Sequence, residues 1–279
     1  MRAMLIGAVI VIGLAAAAAS TSASAQAQAA APPAAQAPAP PAAQPAPLPS
    51  CEDLAAALRA VAANDARLRD WANRTRYREA NRTVTKADVV FMGDSITDAW
   101  QRPQYGGFFP GKNYVDRGIS GQTTPQMLLR FRADVLSLKP RAVVILAGTN
   151  DIAGNTGVTS DEDIEGNLAS MSELAVASGV KVVLSSITPV SEYHVANPNA
   201  VPQTSARPMA RIRAINEWMR KYAAAHGHVY LDYSPAMTDQ AGLLKAELSA
   251  DDLHPNAAGY AILAPLAEAA IRQALGGAQ

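Results

Sequence analysis

The chain has 279 residues, and its 24 Lys and Arg against 24 Asp and Glu give a formal net charge of zero. That balance supplies no electrostatic footprint for nucleic acid or for an anionic membrane surface. The single cysteine, Cys51, excludes an intrachain disulfide, so a folded exported domain must rest on its core.

Met1-Arg2 is a positive start, Met4 to Ala19 is apolar, and Ala23-Ser24-Ala25 is a small-residue cleavage pattern. The apolar run is shorter than the roughly 20 residues of a comfortable membrane span. Residues 1–25 therefore read as a secretory signal peptide, which predicts an exported chain, periplasmic or extracellular, with no stable membrane insertion after cleavage. Residues 26–50 are almost all Ala, Pro and Gln and carry no charge. Such a segment buries too little surface to offset its ordering entropy, so a disordered, proline-stiffened tether is expected. Leu48-Pro49-Ser50-Cys51 resembles a lipoprotein cleavage box only faintly and lies far from the apolar run, so lipidation is not expected.

Residues 51–85 read as an N-terminal helical arm. Helical spacing over 52–80 puts Leu54, Leu58, Val61 and Leu68 on one face, and Trp71 and Tyr77 are placed to dock the arm on the main body. Residues 86–279 then alternate. Strands are predicted at 88–93, 113–119, 142–148, 180–187 and 228–233. Helices are predicted from Thr124-Pro125 to Val135, from Ser160 through Ala175, from Arg207 to Ala225 and from Asn256 to Leu275. Val143-Val144-Ile145-Leu146 and Val180-Lys181-Val182-Val183-Leu184 are β-branched and mostly continuous apolar runs, as a sheet covered on both faces requires. The alternation predicts an α/β fold with a three-layer, doubly wound parallel sheet of five strands. In such sheets ligands bind beyond the C-terminal ends of the strands.

Chemistry gathers at those ends. The first strand delivers Gly93-Asp94-Ser95, the second runs into Ser120-Gly121-Gln122, the third delivers Gly148-Thr149-Asn150-Asp151, and the loop before the last helix carries Asp251-Asp252-Leu253-His254-Pro255. A serine hydroxyl needs a nearby base to become a nucleophile. His254 is the one histidine with a carboxylate three residues earlier and a proline fixing its exit, so Asp251 is placed to orient its ring. An oxyanion needs preorganised donors, and the Ser95 amide, the Gly121 amide and the Asn150 side chain are available. Taken singly, each has a plain structural reading: Gly-Asp-Ser is a common turn, Gly-Thr-Asn-Asp a strand cap, Asp-x-x-His-Pro a helix entry. Their conjunction, in order and at strand ends, points to a shared acyl-transfer site.

These blocks resemble the SGNH, or GDSL-type, hydrolase superfamily. Gly93-Asp94-Ser95-Ile96-Thr97 matches its nucleophile block, Gly118 to Thr123 and Gly148 to Asp151 its oxyanion blocks, and Asp251 to Pro255 its last block, over residues 86 to 275. The resemblance implies a flavodoxin-like strand order 2-1-3-4-5, ester hydrolysis without metal or cofactor, and Ser95, Asp251 and His254 as triad with Ser95, Gly121 and Asn150 as oxyanion hole. Many similar proteins have glycine where this chain has Asp252, and a second acid there would raise the pKa of His254 or redirect the loop.

Asp94 and Asp151 are expected to hold their turns rather than react. Trp100, Tyr105, Phe108 and Phe109 are expected to pack the loop after the nucleophile rather than line a substrate pocket. His194 reads as a solvated loop histidine, and His226 and His228 as helix-end residues suiting the dipole rather than a metal pair. The expected function is an exported serine esterase removing small acyl groups, acetyl foremost, from carbohydrate or other small-molecule esters. A lysophospholipase or arylesterase, a transacylase and a non-catalytic envelope-binding module are the alternatives.

Overall fold

A computed structural model of the chain describes residues 50–194 and 201–276. The expected signal peptide and all but the last residue of the expected tether lie outside the described residues. Among the described residues no helix is long and apolar enough to cross a membrane.

The first helix, α1 (Cys51–Arg69), starts where Ser50 Oγ accepts from the Asp53 amide at 3.1 Å and the Asp53 carboxylate accepts from the Ser50 amide at 3.0 Å, a reciprocal cap. Leu54, Leu58, Val61 and Leu68 are half to three-quarters exposed, so the face their spacing predicts is uncovered. Nor is the arm one helix. The Asp70 carboxylate accepts from the Arg74 and Thr75 amides at 2.8 and 2.9 Å, Asn73 takes a left-handed φ of 50°, and the chain turns before α2 (Arg78–Thr83). Local side-chain bonds of this kind offer the backbone an alternative to helix.

The body follows as β1 (Val89–Gly93), α3 (Ser95–Ala99), β2 (Tyr114–Gly118), α4 (Thr124–Asp134), β3 (Ala142–Leu146), α5 (Thr149–Ile152) and α6 (Asp161–Ala177). It continues with β4 (Lys181–Ser185), α7 (Gln203–Ala206), α8 (Met209–His226), β5 (Val229–Leu231), α9 (Ser234–Met237) and α10 (Ala257–Ala274). The five strands are parallel, in the order β2-β1-β3-β4-β5. Strands are shorter than their apolar runs predict, because Ala147-Gly148 and Ser186-Ile187 have already left the ladder. Hydrophobicity marks burial, and these residues stay buried as they enter the loops.

Side chains alternate across the sheet. Val90, Met92, Val143 and Ile145 pack under α4, α6 and α8 through Met127, Phe131, Leu168, Ile212 and Met219. Val89, Phe91, Val144 and Leu146 pack under α10 through Tyr260, Leu263, Ala267 and Ile271. The sheet is thus covered on both faces, and its central strands β1 and β3 carry no polar side chain. Trp100 and Phe109 are buried in the second layer against Phe91 and Tyr260, with half-buried Tyr105 and Phe108 beside them, which is the packing role expected of them.

Register sets up the site. Gly93 on β1 pairs with Gly118 on β2 and Leu146 on β3, so three strands end level. At Gly118 a Cβ would sit 2.2 Å from the Asp98 amide nitrogen. Only glycine lets the end of β2 lie against the backbone of the helix that begins with Ser95.

Candidate active site

Ser95 is the first residue of α3, and Asp94 caps that helix by accepting from the Ile96 amide at 2.9 Å. The Ser95 hydroxyl lies 2.9 Å from His254 Nε2. His254 Nδ1 lies 2.7 Å from Asp251 Oδ2, and the His254 amide donates to Asp251 Oδ1 at 2.8 Å. The three residues, 159 positions apart at their extremes, thus form one hydrogen-bonded chain. Burial pushes the Asp251 carboxyl up, but the bonds from the His254 ring and amide outweigh it and hold the group well below the usual carboxylate range. An ionised Asp251 only accepts, so the proton of a neutral imidazole is assigned to Nδ1 and Nε2 faces the serine as acceptor.

Gly121 has a left-handed φ of 79°, a conformation that glycine adopts without strain. Asn150, buried in α5, donates from Nδ2 to the Gln122 carbonyl at 3.0 Å, which joins the loops after β2 and β3. Asn155 was not singled out by any sequence pattern, yet its Nδ2 bridges the Gly121 carbonyl at 3.1 Å and Asn150 Oδ1 at 3.0 Å. Two further residues escape sequence reasoning. Arg207, just before α8, donates from Nε to Thr149 Oγ1 at 3.1 Å beside Asn150. Arg130 is fully buried and donates to Gln122 Oε1 at 2.5 Å, to Asp134 at 3.1 Å and to the Gly93 carbonyl at 3.1 Å. Its position three residues after Met127, on the apolar face of α4, was the available signal.

Asp151 accepts from the Thr124 amide at 3.0 Å and the Thr124 hydroxyl at 2.6 Å, so it ties α5 to the first turn of α4. Burial raises its pKa against those bonds. Asp94 is fully buried, and its Oδ2 finds no partner among the described residues. Burial drives its pKa from 3.8 up to about 6, with the Ile96 amide bond as a partial offset. The folded state therefore holds this proton more tightly than the unfolded chain, and the resulting stability is full below about pH 4 and lost as pH rises through 6. Asp94→Asn keeps a cap acceptor and removes the titration. The stability of wild type minus that of the variant is expected to fall by about 2 kcal/mol from pH 4 to pH 8, at 1.36 kcal/mol per pKa unit; urea unfolding at the two pH values measures it, and a constant difference would refute the buried charge.

Asp252 turns away from His254. It adopts φ 67°, which an aspartate tolerates better than most residues. Its carboxylate accepts from Ser191 Oγ at 2.6 Å and from the Tyr193 and His194 amides at 2.9 and 2.7 Å, with His194 Nδ1 at 3.0 Å. The second acid thus anchors the 191–194 segment, and His194 is tethered rather than merely solvated. His226 Nδ1 meets the Tyr222 carbonyl at 2.9 Å and its ring stacks on Tyr222 at the end of α8. Among the described residues no group of three His, Cys, Asp or Glu is placed to hold a metal ion.

The structure is similar to that of a GDSL-like lipase from Bacteroides thetaiotaomicron, with 38% sequence identity and a TM-score of 0.66, covering 73% of this chain and 99% of that one. An acetyl xylan esterase shares the fold at 23% identity and a TM-score of 0.53, over 65% of this chain and 98% of its own. A Bacillus subtilis lipoprotein, YqeF, is 38% identical over 38% of this chain, and the match spans half the length of that relative. The model of the GDSL-like Lipase/Acylhydrolase family matches residues 91–262, from the middle of β1 into α10 and across every segment of the site. The chain therefore belongs to the GDSL-like lipase/acylhydrolase family.

Proposed function

We propose that this chain is an exported serine esterase that hydrolyses carboxylic esters through an acyl-enzyme, with short acyl groups on carbohydrates as its substrates. The observation that carries the reading is the chain Ser95 Oγ–His254 Nε2–Asp251, at 2.9 and 2.7 Å, with Gly121 and Asn150 in the segments that follow the level ends of β2 and β3.

In this mechanism His254 Nε2 takes the Ser95 proton as Oγ bonds to the ester carbonyl carbon. The carbonyl oxygen becomes an oxyanion held by the Ser95 and Gly121 amides and by Asn150 Nδ2, each donor contributing about 3 kcal/mol to the transition state. Asp251 stabilises the imidazolium and keeps the ring oriented. His254 then gives its proton to the departing alcohol oxygen, leaving an acyl-serine. Water enters, gives a proton to His254 as it attacks the acyl carbon, and the acid leaves as Oγ regains its proton. An alcohol in place of that water would make the same site a transacylase.

The short-acyl reading is supported by the packing after the nucleophile, where Trp100 and Phe109 are buried in the core against Phe91. The N-terminal segment read as a signal peptide supports export, as does the name lipoprotein carried by the Bacillus relative. A series of p-nitrophenyl esters from acetate to palmitate tests the proposal. Turnover is expected to peak at acetate or propionate and to fall at least tenfold by octanoate, and a peak at long chains would favour a lipolytic acylhydrolase instead.

A further inference from the structure

A cleft of about 870 Å³ opens beside Gly121, within the range of on the order of 300–1,000 Å³ typical of small-molecule sites. It is lined by Ser120 and Gly121 of the loop after β2, by Asn155 and Thr156 after α5, and by Leu68 and Trp71 of the N-terminal arm. The arm lies outside the span matched by the family model, which begins at residue 91.

The arm is fastened to that loop at several points. The Trp71 and Ala72 carbonyls accept from Gln126 Nε2 at 2.6 Å and Gln122 Nε2 at 2.7 Å. The Tyr77 hydroxyl donates to the Gly118 carbonyl. Arg76 pairs with Asp98 Oδ1 at 2.6 Å, and Asp98 Oδ2 accepts from the Ser120 amide and hydroxyl at 3.1 and 2.6 Å. Asp70 closes the turn on itself through Arg74 and Thr75. The fastenings run through backbone groups, the Arg76, Asp98, Gln122 and Gln126 side chains and the Tyr77 hydroxyl, and none of them uses the Trp71 indole, which stays 42% exposed in the cleft. A large aromatic ring held in a braced turn and left in water gains area when a ligand covers it, and bracing reduces the ordering cost of binding.

We propose that the arm forms a saccharide subsite that adjoins the active site through Gly121, with Trp71 as the platform for one sugar ring of the substrate. This rests on the esterase reading above. The lining selects the ligand class: an exposed indole suits the C–H face of a pyranose, and the amides and hydroxyls that line the same cleft suit its hydroxyl groups. A lipid tail would require a continuous apolar wall, whereas Leu68 and Trp71 stand among Asp70, Ser120, Asn155 and Thr156.

Two measurements on the full chain test it. Trp71→Ala is expected to lower the ratio of kcat/KM for acetylated xylotetraose to kcat/KM for p-nitrophenyl acetate about tenfold, through KM, and Trp71→Tyr to restore most of that ratio. Calorimetric titration of xylotetraose and chitotetraose into Ser95→Ala, with and without Trp71→Ala, is expected to show binding that weakens about tenfold when the indole is removed. An unchanged ratio, no binding of either tetrasaccharide, or a selective loss on lysophosphatidylcholine instead would overturn the subsite. The two readings fail separately. Normal turnover of p-nitrophenyl acetate without saccharide binding removes the subsite and leaves the esterase, whereas Trp71-dependent saccharide binding in a chain that hydrolyses no ester does the reverse.

Discussion

Ser95→Ala is expected to lower kcat on p-nitrophenyl acetate by about 10⁶-fold, as removal of a serine nucleophile does when the acyl-enzyme path is the only fast one. The variant has no Oγ to bond the carbonyl carbon, so the histidine at 2.9 Å loses its proton donor and can act only on water. The oxyanion donors proposed at Gly121 and Asn150 remain, and a residual acceleration of about 10³–10⁴ over water is the expected remainder. Folding should be untouched. The hydroxyl points out of the sheet toward His254, while the start of α3 is capped by Asp94 through the Ile96 amide, which the substitution leaves in place. A melting temperature within a few degrees of wild type, together with loss of the initial burst of p-nitrophenol, distinguishes a missing nucleophile from a damaged fold. Turnover close to wild type would remove Ser95 from the mechanism and the acyl-enzyme with it.

What the sequence makes legible here is whatever has local periodicity or a fixed spacing. The apolar runs of β1, β3 and β4 signal strands covered on both faces, and the packing of α4, α6 and α8 on one side with α10 on the other follows from that. Asp251 and His254 are three residues apart, and their bond needs only a local turn. Long-range partners leave no such trace. Arg207 meets Thr149 across 58 residues, and nothing in the residues around Arg207 separates it from the other arginines of its helix approach. Asn155 is one amide among several loop amides until the two loops it bridges are brought together. The arm shows the opposite failure. Helical spacing of Leu54, Leu58, Val61 and Leu68 is real, but periodicity reports how side chains line up on one element and says nothing of whether a second element covers them. Its docking came instead from the polar turn after Asp70 and from the buried ring of Tyr77.

Asp251 and Asp252 are neighbours of the same chemical type, and their substitution by asparagine is expected to have effects separated by orders of magnitude. Asp251→Asn should lower kcat/KM about 10⁴-fold. An amide in place of Oδ2 can donate toward Nδ1, which favours the tautomer with its proton on Nε2, and the group 2.7 Å away then ceases to present an acceptor to Ser95. In the proposed mechanism it also withdraws the negative charge that stabilises the imidazolium formed during attack. Asp252→Asn leaves the triad bonds alone and keeps a residue that tolerates φ 67°. Its loss falls on the bonds from Ser191, Tyr193 and His194, where a neutral amide accepts less well than a carboxylate and has one oxygen instead of two. A stability loss of roughly 1–3 kcal/mol is expected, with kcat changed by less than about tenfold, because the triad geometry is set by the Ser249-to-His254 turn rather than by Asp252. Steady-state kinetics and urea unfolding of the two variants, run side by side, read both quantities. If Asp252→Asn proves the kinetically crippled variant and Asp251→Asn the merely destabilised one, the partner of His254 has been misassigned, and the 2.7 Å contact that distinguishes the two acids would have to be explained as turn architecture alone.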